Sequence, residues 1–197
     1  MNLLIKNIQS VLIISLSYLI LELLHYITPL IGILFFTEHA DVSVGALLFL
    51  PIGTILFTYL VFRESIFPGV LILIYVVGIL MNISNDLIWQ YTLISAFGPY
   101  VAIRIFEFFR LGDLSKPFEI DSMKLLLLVL ISALINTIFK FLSFYYHSHE
   151  STIEHWEHAD PVFFLMTFFP GDIIGGFVGV LLCIYLYPKF QTKPLAK

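Results

Sequence analysis

The sequence predicts an all-α, polytopic integral membrane protein: six transmembrane helices in one bundle, with both termini cytoplasmic. Three observations carry this. Of 197 residues, 59% are hydrophobic and only 12% are charged, and the mean hydropathy is +0.98, a balance foreign to soluble domains. The apolar residues gather into six runs, each near the roughly 20 residues that a helix needs to cross a bilayer. The basic residues fall in alternate loops, which sets an orientation.

The runs occupy residues 8–27, 44–62, 66–83, 87–109, 123–146 and 162–187. They read as helices because only helices and closed barrels satisfy their backbone in lipid. Barrel strands would be about 10 residues long with alternating polarity, and no such alternation is visible. The first run, open to extension past Pro29 to Phe36, is too long for a cleavable signal and ends in no small-residue cleavage site, so it is expected to remain as an anchor. Twenty Phe and ten Tyr suit lipid-facing surfaces and interfacial belts.

Orientation follows from the loops. Lys6, Arg63, Arg110, Lys116, Lys124, Lys189, Lys193 and Lys197 lie at the N-terminus, after the second and fourth runs, and at the C-terminus. The alternate loops hold no Lys or Arg, which places both termini in the cytoplasm. The longest loops, 110–122 and 147–160, are too short to fold alone, so no attached catalytic module is expected and any activity belongs to the bundle, its loops or a partner.

Chemistry is expected where polar groups enter the apolar runs, because a charge in lipid is costly and normally faces the bundle interior. Asp172 stands near the middle of the last run, beside Pro170 and Gly171. The sequence predicts a helix break there, with the restarted helix aiming free N–H groups at the midplane. Gly175, Gly176 and Gly179 would either shape a ligand cradle or let another helix approach closely. Pro51 and Gly53 form a faint echo in the second run, which would break at a similar depth. Glu22 and His25 share a face in the first run, Arg104 and Glu107 in the fourth, and Asn136 and Lys140 in the fifth. These depths predict two layers: Glu22 with Lys140 on the outer side, and Asp172 meeting Arg104, or staying protonated, on the inner side. The alternative is that the pairs only fix helix packing, with Arg104 and Lys140 reaching to the interfaces.

The outer loop 147–160 carries His147, His149, His155 and His158 among four acids. Imidazole with carboxylate suits zinc, copper or nickel, although no His-Glu-x-x-His pattern is present. A pH response and a plain hydrophilic loop are the other readings. Cys183 has no partner for an intrachain disulfide. No phosphate loop, Cys-x-x-Cys or Gly-x-Ser-x-Gly elbow occurs, so no enzyme activity is expected. Nor is a nucleic-acid partner.

Two families share short motifs with the chain. Leu50-Pro51-Ile52-Gly53-Thr54, then Arg63, then Phe67-Pro68-Gly69-Val70, and late Gly171-Asp172-Ile173-Ile174-Gly175 resemble the membrane-associated sensor domains of the MASE type, which precede histidine kinases and diguanylate cyclases in bacteria. The tryptophan usual before the first proline is replaced by Phe49 and Leu50, and the bundle is shorter. The resemblance implies a sensor-like bundle of the bacterial inner membrane, with Pro51, Gly53, Asp172 and Gly175 in its sensing core. A separate signalling partner would supply the output. Six helices in this length, with a late Pro-Gly-Asp, are also similar to the substrate-binding components of energy-coupling-factor vitamin transporters. That likeness implies a small-molecule ligand and an ATP-driven partner. A structural assembly role without a ligand is the third expectation.

Overall fold

The computed structural model describes residues 3–35, 49–80, 85–148 and 161–191, and side chains over 3–20, 49–80, 88–143 and 168–188. The described residues are helical apart from short connections and contain no strand. We number the helices α1 (Leu3–Phe35), α2 (Leu50–Phe62), α3 (Phe67–Leu80), α4 (Asn85–Phe108), α5 (Ser122–Ser148) and α6 (Pro161–Gln191). Each corresponds to one of the six apolar runs. Four stretches are long and apolar enough to cross a membrane: Leu3–Ile20, Leu50–Leu80, Ser122–Ser143 and Phe168–Pro188. The described part of α4 is not among them, because Gln90, Thr92, Ser95, Arg104 and Glu107 lower its apolarity.

Leu50–Leu80 is not one straight rod. A 3-10 turn, Arg63–Ile66, separates α2 from α3, and Arg63 has φ 61° and ψ −166°, which ends the helical path. The packing shows that the chain doubles back. Tyr59 of α2 meets Tyr100 and Arg63 meets Glu107, so α2 runs parallel to α4. Phe67 of α3 meets Phe97 and Tyr75 meets Trp89, so α3 runs antiparallel to α4. Proline at the second position of both α2 and α3 suits a first helical turn, where a missing N–H costs nothing.

The other pairs alternate in the same way. Ser17 of α1 bonds Thr54 at 2.8 Å, and Asn7 donates to the Ser65 carbonyl at 3.4 Å, so α1 is antiparallel to α2. Asn136 of α5 packs on Gly98 of α4 and bonds Asp172 of α6, and both neighbours are antiparallel to α5. The start of α1, the α2–α3 turn, the connection from α4 to α5 and the end of α6 therefore share one end of the bundle.

α2 is the hub. It is apolar on every side, and twelve of its thirteen residues are buried, the pattern of a helix enclosed by others. It packs against α1, α4, α5 and, most extensively, α6. The outward faces carry Leu12, Leu16 and Leu19 on α1, Ile72 on α3, Leu134 and Phe139 on α5 and Ile174 on α6. An apolar exterior of this kind suits lipid rather than water.

α4 ends in a tight cap. Leu111 N–H reaches the Phe106 carbonyl at 3.1 Å and Arg110 N–H the Glu107 carbonyl at 3.0 Å, with Arg110 at φ 52°. This is the paired-bond ending in which the left-handed position normally falls to glycine.

Candidate functional site

The site begins with glycine. α2 and α6 run side by side in backbone contact, because Gly53, Gly175, Gly176 and Gly179 present no side chains between them. A Cβ on Gly175 would strike the Phe49 backbone, one on Gly53 would strike the Gly176 carbonyl, and one on Gly179 would lie 2.8 Å from the Leu50 carbonyl. This approach lets the Phe49 N–H, just ahead of α2, donate to the Gly171 carbonyl at 3.2 Å. The close helix packing expected of these glycines is observed.

The predicted break at Pro170 is not there. α6 is continuous through both Pro170 and Pro188, so proline is accommodated inside the helix. The helix that starts at this depth is α2, with Pro51 in its first turn. Its free N–H end lies beside Gly171 and Asp172.

Asp172 is buried, at 1% exposure. Its Oδ2 accepts from Asn136 Nδ2 at 2.7 Å and from the Thr137 hydroxyl at 3.2 Å. Its Oδ1 is equally buried and has no hydrogen-bond partner among the described residues. Lys140, one turn further along α5, is buried at 4%. Its Nζ lies 4.6 Å from the centre of the Phe49 ring and 5.3 Å from that of Tyr91. Such faces attract a cation without accepting its protons in ordinary hydrogen bonds. Lys140 and Asp172 feel each other's charge but form no direct ion pair. Tyr18 of α1 stands edge-on to Phe49 at 6.4 Å, with its hydroxyl near Tyr91. On the flanking helices, the hydroxyls of Thr92, Ser95 and Ser132 are also buried without a partner among the described residues.

The centre thus joins all the helices around α2 except α3. It holds a buried carboxyl oxygen with no hydrogen-bond partner among the described residues and a Lys140 Nζ that lies over two aromatic rings, in an interior where unmet polar groups cost several kcal/mol each. A polar group that donates to Oδ1 and accepts from Nζ would satisfy both.

The two predicted layers are redistributed. Lys140 and Asp172 belong to one cluster. Arg104 does not meet Asp172: it pairs with Glu64 and Glu107, each at 3.0 Å, and donates to the Tyr100 hydroxyl at 3.1 Å. The reason is position along α4. Asn136, the partner of Asp172, packs at Gly98, and Arg104 lies six residues on, about 9 Å at helical rise. There Arg63 completes the network, donating to Glu107 at 2.8 Å and to the Leu114 carbonyl at 2.9 Å. In the adjoining loop, the Ser115 hydroxyl and N–H beside Asp113 hold its carboxyl below the usual carboxylate range.

The side chain of Glu22 lies outside the described residues, and so do His149, His155, His158 and the side chain of His147. Among the described residues no three metal ligands cluster. Larger cavities among the described residues lie away from the centre. One of about 130 Å³, apolar, opens between α1, α2 and α6 beside Ile13, Thr54, Phe57 and Cys183. Another, about 260 Å³ and polar, is lined in the 109–121 loop region by Asp113, Lys116, Glu119, Asp121 and Lys124.

Sequence reasoning found Asp172, Asn136 and Lys140 and missed Phe49, Tyr91, Tyr18 and Thr137. Thr137 carried a usable signal, since it lies three residues before Lys140 on the same helical face. The aromatic groups carried none, because they arrive from three other helices. No family model matches the chain, and neither does any curated protein or solved structure.

Proposed function

We propose that this chain is a sensor-like, ligand-binding bundle of the bacterial inner membrane. It crosses the bilayer six times with both termini in the cytoplasm, and it acts through a separate partner protein. The alternating directions of the helices support an even number of crossings. Arg63, Arg110, Lys116 and Lys124 gather at one end of the bundle, which supports putting that end inside. The observation that carries the ligand is the buried Asp172 Oδ1, which has no hydrogen-bond partner among the described residues, close to a buried Lys140 whose Nζ lies over the Phe49 ring and makes no ion pair among those residues. Polar groups left this way in a membrane core mark sites more often than scaffolding.

Native mass spectrometry of the protein released gently from membranes tests the ligand. A small molecule retained by wild type and absent from Asp172→Asn supports it. Two forms that are equally empty, or equally loaded, refute it. Cross-linking before extraction identifies the class. A kinase or cyclase partner supports sensing, an ATPase pair would move the protein to small-molecule transport, and neither would leave an assembly role.

A further inference from the structure

α2 is anchored to polar groups at both ends, with the Ser17–Thr54 hydrogen bond to α1 between them. At one end the N–H just before it is held by the Gly171 carbonyl, next to Asp172, and the Phe49 ring faces Lys140. At the other, Arg63 holds Glu107 of α4 and the Leu114 carbonyl of the 109–121 loop. The thirteen residues of α2 hold no proline beyond the first turn and are buried almost throughout. A rod packed this tightly shifts as a unit rather than bending. Its most extensive interface, against α6, is a seam of glycines beside the first turns of α2, closed at the Arg63 end by Tyr187 edge-on to Phe57 and Phe62, so a shift of α2 against α6 is passed on at that end.

The joint at the far end is strained. Arg63 takes φ 61° with an extended ψ, a region that residues other than glycine occupy only when their surroundings hold them there. Its two side-chain hydrogen bonds, with the bond from its own N–H to the Tyr59 carbonyl, do the holding.

We infer that α2 is a strut that carries a change at the Asp172–Lys140 centre to the 109–121 loop, with Arg63 as the coupling joint. The loop is then the surface that answers to the buried site. This rests on the proposed function only in taking the centre as the place where a change begins.

The test uses the purified full chain in detergent, with Cys183→Ser and a nitroxide on Ser115→Cys, read by electron paramagnetic resonance. The centre is disturbed in two ways. Asn136→Ala withdraws a donor from Asp172, and Gly175→Ala pushes on the Phe49 backbone. Each is expected to raise the mobile component of the spectrum at position 115. Arg63→Gln is expected to raise it alone and to abolish any further response to the centre variants. An unchanged spectrum in folded centre variants, or a response that survives Arg63→Gln, overturns the strut. Where Gly175→Ala does not fold, Asn136→Ala carries the test. Failure here with a ligand still retained in mass spectrometry would leave the binding site standing and remove only the coupling.

Discussion

Asp172 shows how a single side chain can be half satisfied. One oxygen is held by two donors, and the other is buried with no partner among the described residues. Substitutions should separate the halves. Asp172→Asn keeps the shape and one acceptor, so the thermal midpoint in detergent should stay near wild type. Asp172→Leu strands the Asn136 and Thr137 donors, and should lower stability by about 1–3 kcal/mol. Equal midpoints for the two would show that those bonds contribute nothing. The carboxyl, and Asn136 with Lys140 on one face of α5, were legible in the sequence as polar groups inside apolar runs, because period 3.6 sets which residues share a face; that Asn136 and Thr137 bond Asp172 was not. The identity of the partner was not. Periodicity gives the depth of Arg104 along α4, but not which helix its side chain turns toward, and Glu64 and Glu107 lie closer.

At the scale of the element, glycine and backbone handedness decide. Gly175→Ala and Gly53→Ala each place a methyl against backbone, which cannot move aside as a side chain tip would. We expect each to cost about 1–3 kcal/mol and to weaken the α2–α6 contact. Gly176→Ala, which meets the γ-methyls of Val129 and Ile52 rather than backbone, should cost less, and the ranking can be read from thermal melts. Arg110→Gly should act in the opposite direction. Its left-handed φ is costly for any side chain, and glycine should gain roughly 0.5–1 kcal/mol after its greater unfolded freedom is subtracted. A lower midpoint would mean that the arginine side chain matters more than its backbone. The proline in the last run misled because a helix can absorb one when neighbours cover the freed carbonyl.

For the whole molecule, the number of crossings is the question that counts. Read by apolarity alone, Leu50–Leu80 is a single traverse and α4 is none. The reversal at Arg63 and the packing of α4 against α2, α3 and α5 make six rods of alternating direction. On the proposed topology, labelling of single cysteines in intact spheroplasts should leave Ser115→Cys protected until the membrane is opened, and modify His149→Cys from outside. The reverse pattern would invert the assignment. The six helices were legible because each falls in one uninterrupted apolar run. The aromatic cage was not, because it exists only once four helices meet.

That the helix at the heart of the bundle takes its largest contact from the sixth has an implication for biogenesis. As the nascent chain leaves the translocon, α2 is delivered well before the glycine face that will flank it. Until α6 emerges, a rod with no outward side must wait among lipids or under the care of an insertase. Lys140 arrives before Asp172 and must wait too. A ribosome stalled ahead of Gly171 should thus leave a half-built product that quality-control proteases recognise.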